Sequence, residues 1–159
     1  MSGCALSSAA PAGLGSLIDL QEKLMDLRPT VVNDTARDAV ELMPSEPLVM
    51  LNPAWPGMRG RWITATPTDQ GWPDFILSEW ELEGAAWTDL HHHDEVNLVV
   101  EGELHVECDG KTVVAGPGDT VRVPAGRLGR YVAHRYARMV AVYGPNPGMA
   151  DEAFSYESL

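Results

Sequence analysis

The chain has 159 residues, 45% of them apolar and 21% charged, which suits a single soluble domain with its own core. Its formal net charge of −12 lacks the basic footprint of a nucleic-acid binder and argues against an anionic membrane surface. Cys4 and Cys108 are too far apart to form a disulfide framework or a metal-type cysteine pair, no apolar run approaches the ~20 residues of a membrane helix, and no basic-then-apolar leader opens the sequence. A reducing cytoplasm is the expected setting.

Residues 1–15 are small and low in information, and are expected to form a mobile tail. Residues 16–45 read as a helical extension. Ser16 is a candidate N-cap, Leu17, Leu20, Leu24 and Leu27 form an apolar stripe, and Pro29 ends the helix. A second short helix is expected over Thr35–Met43, closed by Pro44. From residue 46 to 147 the pattern changes to short strands and turns. Runs at Leu48–Leu51, Arg61–Ala65 and Phe75–Leu82 are followed by His91–Val100, Glu103–Cys108 and Lys111–Ala115, then Thr120–Pro124, Tyr131–Ala133 and Arg138–Tyr143. Asp109-Gly110 between two alternating runs is a strong hairpin signal. So many short strands point to an antiparallel sandwich or barrel. Residues 148–159 show no periodicity and read as a C-terminal tail.

Three of the five histidines stand together at His91-His92-His93, followed by Asp94-Glu95. On a strand, His91, His93, Glu95 and Asn97 share one face. Two imidazoles and a carboxylate at that spacing suit a divalent metal or proton transfer.

The spacing around these residues resembles the two motifs of the cupin superfamily. The first motif is Gly-x5-His-x-His-x3,4-Glu-x6-Gly. His91, Glu95 and Gly102 stand in its register, while Asp89 replaces its first histidine. The second is Gly-x5-Pro-x-Gly-x2-His-x3-Asn. Gly118, Pro124 and Gly126 match it, Gly129 stands at its histidine and Ala133 at its asparagine. Within the superfamily the chain is similar to the ethanolamine-utilisation (EutQ-like) cupins, through Trp80-Glu81, Trp87-Thr88, Asp94-Glu95, the run Val99–Val106, Ala115–Asp119 and Val123–Gly126. The likeness covers roughly residues 75–147. It implies an all-β jelly-roll barrel, here preceded by the N-terminal α-helical extension read from the residues themselves, a homodimer, and a site in the barrel mouth.

On that reading His91, His93 and Glu95 are candidate ligands for Fe, Mn, Ni or Zn. His105 is the candidate fourth, with Asn97 or Asp89 as alternatives. An empty polar pocket is the rival reading. Arg122, Arg127, Arg130, Arg135 and Arg138 place five of eleven cations in a short segment. Arg130, beside the vacated histidine position, is the candidate for orienting a carboxylate- or phosphate-bearing substrate. Tyr131, Tyr136 and Tyr143 each offer a phenol for acid–base work, and Tyr143 joins Glu95 and Arg130 as a candidate catalytic residue. Three functions stay open. One is a metal-dependent enzyme acting on a small anionic organic molecule. The second is an acetate kinase-like or accessory cupin of a microcompartment, without tightly held metal. The third is a non-catalytic binding module.

Overall fold

A computed structural model describes residues 40, 42–64, 67, 70–148 and 152–159. The chain divides into two units, Met1–Glu41 and Leu42–Leu159, and the fold described is that of the second. The helix expected from Ser16 lies outside the described residues. Leu42 and Met43, expected to end the second helix, are not helical, and no α-helix occurs among the described residues.

The fold is all-β. Among the described residues nine strands follow in order: β1 (Val49–Met50), β2 (Met58–Trp62), β3 (Ile76–Leu90), β4 (Glu95–Gly102), β5 (Leu104–Cys108), β6 (Lys111–Ala115), β7 (Thr120–Val123), β8 (Leu128–Tyr143) and β9 (Glu152–Ser158). Every pairing is antiparallel. The path runs β1-β2-β3-β8-β4-β7, with β5 joining β6 to β8 and β9 lying along β3. The long strand β8 therefore pairs with β3, β4 and β5, and its inward side chains meet those of all three.

Side-chain size explains the core. Ala133, Ala137 and Ala141 are buried on β8, leaving room for Trp80 and Leu82 from β3. Leu82, Leu104 and Met139 have no exposed surface, and burying each contributes about 1.5–3 kcal/mol. On β4, Glu95, Asn97 and Val99 point in while Leu98 and Val100 point out, the period-2 pattern of a half-buried strand.

Four differences from the sequence reading have physical causes. The run expected over Phe75–Leu82 does not end at Leu82. A bulge between Glu83 and Ala85 absorbs Gly84, and β3 continues through it. The runs at Tyr131–Ala133 and Arg138–Tyr143 belong to one strand, because pairing with β3 carries the polar residues between them. Residues 91–94 precede β4 as a bend. The segment read as a tail contains β9, which pairs with Ala85–Leu90 through its backbone and so needs no strict alternation. The Asp109-Gly110 hairpin forms as expected, with φ of 51° and 72° at its two central residues.

Candidate functional site

The inward alternation of β4 extends back through the bend. His91, His93, Glu95 and Asn97 are all buried, and His92 and Asp94 between them are only half-buried. Asp89, at the end of β3, is buried beside them. His91 lies between two carboxylates, with Nε2 2.6 Å from Asp89 Oδ1 and Nδ1 3.0 Å from Glu95 Oε2. One donor atom each from Asp89, His91 and Glu95 come within 4.8 Å of one another, which makes this a candidate metal group.

Neighbouring side chains fix each carboxylate. The Trp87 indole N–H donates to Asp89 Oδ2 at 2.5 Å. The Asn97 amide donates to Glu95 Oε1 at 2.8 Å, and the Trp80 indole N–H in turn donates to Asn97 Oδ1 at 2.9 Å. The Tyr131 phenol donates to Glu95 Oε2 at 2.8 Å. Burial, and then the charge of Glu95, raise the Tyr131 pKa well above its ordinary value, so the phenol holds its proton.

Asp89 and Gly129, the two positions that depart from the cupin histidines, pair directly across β3 and β8. A Cβ at Gly129 would meet the Tyr131 ring at 3.1 Å. Tyr131 thus fills the space beside Gly129. Its place two residues along the same strand was a usable signal, because i and i+2 share a face.

The other expected site residues are distributed differently. The His93 ring stacks on His91 at 4.8 Å and meets the edges of Trp72 and Tyr143. Burial, and then the charge of His91, lower its pKa from 6.5 to about 4. Among the described residues His93 lies outside the metal group, and Asp89 takes the place expected of it. His105 is not brought to this group. It stands between the inward Leu104 and Val106, 2.9 Å from Glu103 Oε1, with its ring beside His134. Arg130 also points away from Tyr131. Its guanidinium holds Glu107 at 3.2 Å and Glu157 at 2.9 Å. Tyr143 is at the site, with its hydroxyl 2.9 Å from Ser78 Oγ.

A cavity of about 320 Å³ opens over Asp89 and Glu95. Four of the chain's five tryptophans line it (Trp55, Trp62, Trp80 and Trp87), together with Tyr143 and Phe154. Arg61 is the one lining cation among the described residues, and its Nε donates to Glu79 Oε2 at 2.8 Å. Burial pushes the Glu79 carboxyl up, but hydrogen bonds from Arg61 and Arg138 outweigh it and hold the group below its ordinary range.

Residues 78–143 match the family described as "Cupin domain". The domain resembles EutQ. Over 78 residues the chain is 42% identical to "Acetate kinase EutQ" of Escherichia coli K12, a stretch covering 42% of this chain and 33% of that protein. The chain spans about a third of the length of the curated relatives it matches. Among solved structures, an RmlC-like cupin from Shewanella frigidimarina NCIMB 400 superposes with a TM-score of 0.54 at 19% identity, covering 69% of this chain and 92% of that one. KdgF from Halomonas sp. gives 0.52 at 21% identity, covering 64% and 87%. At such identities these structures show the shared fold.

Proposed function

We propose that the protein is a metal-dependent cupin enzyme acting on a small organic molecule bound in the tryptophan-walled cavity. The observation that carries this reading is the convergence of Asp89, His91 and Glu95, two of which, Asp89 and Glu95, line the cavity. One imidazole and two carboxylates suit Fe(II), Mn(II), Ni(II) or Zn(II). Three protein ligands would leave positions for substrate, and a metal there would supply Lewis acidity. The chain's own contribution is orientation. Trp87 fixes Asp89, while Asn97 and Tyr131 fix Glu95, so the carboxylates are aimed before anything binds. Tyr143 sits at the cavity wall, where its hydroxyl can pass a proton to or from a bound molecule. The placement of Arg130 withdraws the support it lent to an anionic substrate.

Metal analysis of protein purified without an affinity tag tests the proposal. We expect about one equivalent of a first-row divalent metal, a rise in Tm on adding it, and loss of both in Asp89→Ala and Glu95→Ala. Under about a tenth of an equivalent, with no thermal shift on adding Fe, Mn, Ni or Zn, would overturn it. The identity to EutQ supports a second reading, acetate kinase activity. Phosphoryl transfer between acetyl phosphate and ADP tests it, and no turnover in either direction would remove it.

A further inference from the structure

The cavity's walls and floor carry two different chemistries. The walls are aromatic. Trp87 and Phe154 lie near parallel, 17° apart with centroids at 5.9 Å. Trp55 meets Trp87 at 62° and 4.8 Å, and Phe154 at 76° and 6.5 Å. The three rings thus pack on one another as one cluster that borders the cavity. Trp62 and Tyr143 form a second aromatic pair at 5.6 Å. Trp62 is 39% exposed and Phe154 58%, so these rings border an opening as well as packing the core. The floor is acidic through Asp89 and Glu95, while Glu79 at the side is paired with Arg61, the one lining cation among the described residues, and with Arg138.

An aromatic face carries partial negative charge and attracts cations, most strongly when the cation is poorly hydrated. A primary ammonium keeps strong water contacts. An alkylated ammonium spreads its charge over methyl groups and gains from both the apolar area and the ring quadrupoles. An anion would meet carboxylates and π faces, with no guanidinium left to receive it among the described lining residues. From this juxtaposition we infer that the cavity binds small organic onium cations, of which a quaternary ammonium group is the simplest, held against the cavity side of the Trp55, Trp87 and Phe154 cluster. The inference deepens the enzymatic reading by naming the substrate class of the same cavity, and it rests on that reading only for the reaction. Binding itself needs the rings and carboxylates alone. The volume of about 320 Å³ lies at the small end of the range for small-molecule sites, which suits a compact ligand.

The test uses tetramethylammonium as the cation, tert-butanol as a neutral molecule of similar shape, and acetate as the anion. Each is titrated calorimetrically into the full chain, metal-free and after adding Mn(II). We expect tetramethylammonium to bind the metal-free protein about tenfold more tightly than tert-butanol, and by a smaller margin once Mn(II) offsets the carboxylates, with acetate showing no binding to the metal-free protein. Trp55→Leu should weaken tetramethylammonium about tenfold and leave metal stoichiometry unchanged, and Trp55→Phe should restore part of the loss. Replacing tryptophan by fluorinated tryptophans, which drain charge from the ring face, should weaken the cation progressively and leave tert-butanol unaffected. This last comparison holds even if Trp55→Leu fails to fold. Equal or tighter binding of tert-butanol, metal-free binding of acetate, or cation binding indifferent to fluorination overturns the inference. A protein that holds no metal but keeps the cation series would sink the metal reading alone. One that holds metal but shows no cation preference would sink this inference alone.

Discussion

Tyr131 and Gly129 share one volume on the inner face of β8. A Cβ at Gly129 would stand 3.1 Å from the Tyr131 ring, and that ring carries the hydroxyl holding Glu95. Gly129→His alone therefore overpacks the site, at a cost of about 1–3 kcal/mol. Tyr131→Ala alone leaves a void. The double variant relieves both faults, so it should be more stable, by at least about 1 kcal/mol, than adding the two single losses would give. Simple additivity in urea titrations would show that the two positions do not share this space. His93 makes a separate prediction. It is neutral and buried in the fold, with a pKa of about 4, whereas the unfolded chain takes up that proton near 6.5. Between those values the unfolded state binds more protons, so stability falls as pH drops through the window, by about 3 kcal/mol in the metal-free protein at its lower end. In His93→Phe that contribution is gone. Urea titrations at about pH 7.5 and about pH 4.5 should show a smaller acid loss in the variant, and equal losses would contradict the assignment.

At the scale of elements, two glycines with nearly the same backbone serve different purposes. Gly102 ends β4 with φ of 77°, and a Cβ there would lie 2.1 Å from the Tyr136 carbonyl oxygen. Gly110 turns the β5–β6 hairpin with φ of 72° and has nothing within 4 Å. Gly110→Ala should cost only the backbone strain, about 1 kcal/mol. Gly102→Ala adds a clash with main chain and should cost at least about 2 kcal/mol more, read as the difference in unfolding midpoints. Both glycines were legible in the sequence, as a hairpin signal and as a motif position. So was the inward face of His91, Glu95 and Asn97, because period-2 alternation is local. Which residue stands nearest the ring nitrogens of His91 was not legible. Asp89 and His93 are equally near His91 in sequence, and only the bend at residues 91–94 turns His93 onto the flat of the His91 ring while the end of β3 brings Asp89 to its edge. Tyr131's role depends on β8 crossing between β3 and β4, a register no local pattern displays.

For the molecule as a whole, Arg130 ties sheet strands together. Its guanidinium joins Glu107 on β5 to Glu157 on β9 from its own place on β8. Those partners lie far along the chain, which is why its position beside the vacated histidine suggested a substrate contact instead. Arg130→Ala should cost up to about 1 kcal/mol of stability, as part-exposed ion pairs do, and should leave metal stoichiometry and cavity binding intact. A large loss of ligand affinity without a change in Tm would return Arg130 to the site. β9 is also fastened by the Tyr156 hydroxyl, which accepts from the Gly57 N–H at 2.9 Å, and it brings Phe154 to the cavity wall.

The shared volume of Gly129 and Tyr131, facing Asp89, also bears on inheritance. A lineage could not have exchanged histidine for glycine at one position and gained a tyrosine at the other in arbitrary order without passing through either a hole or a collision. Relatives with histidine at the position of Gly129 should therefore carry a small side chain at that of Tyr131, and the two positions should change hands together across descent.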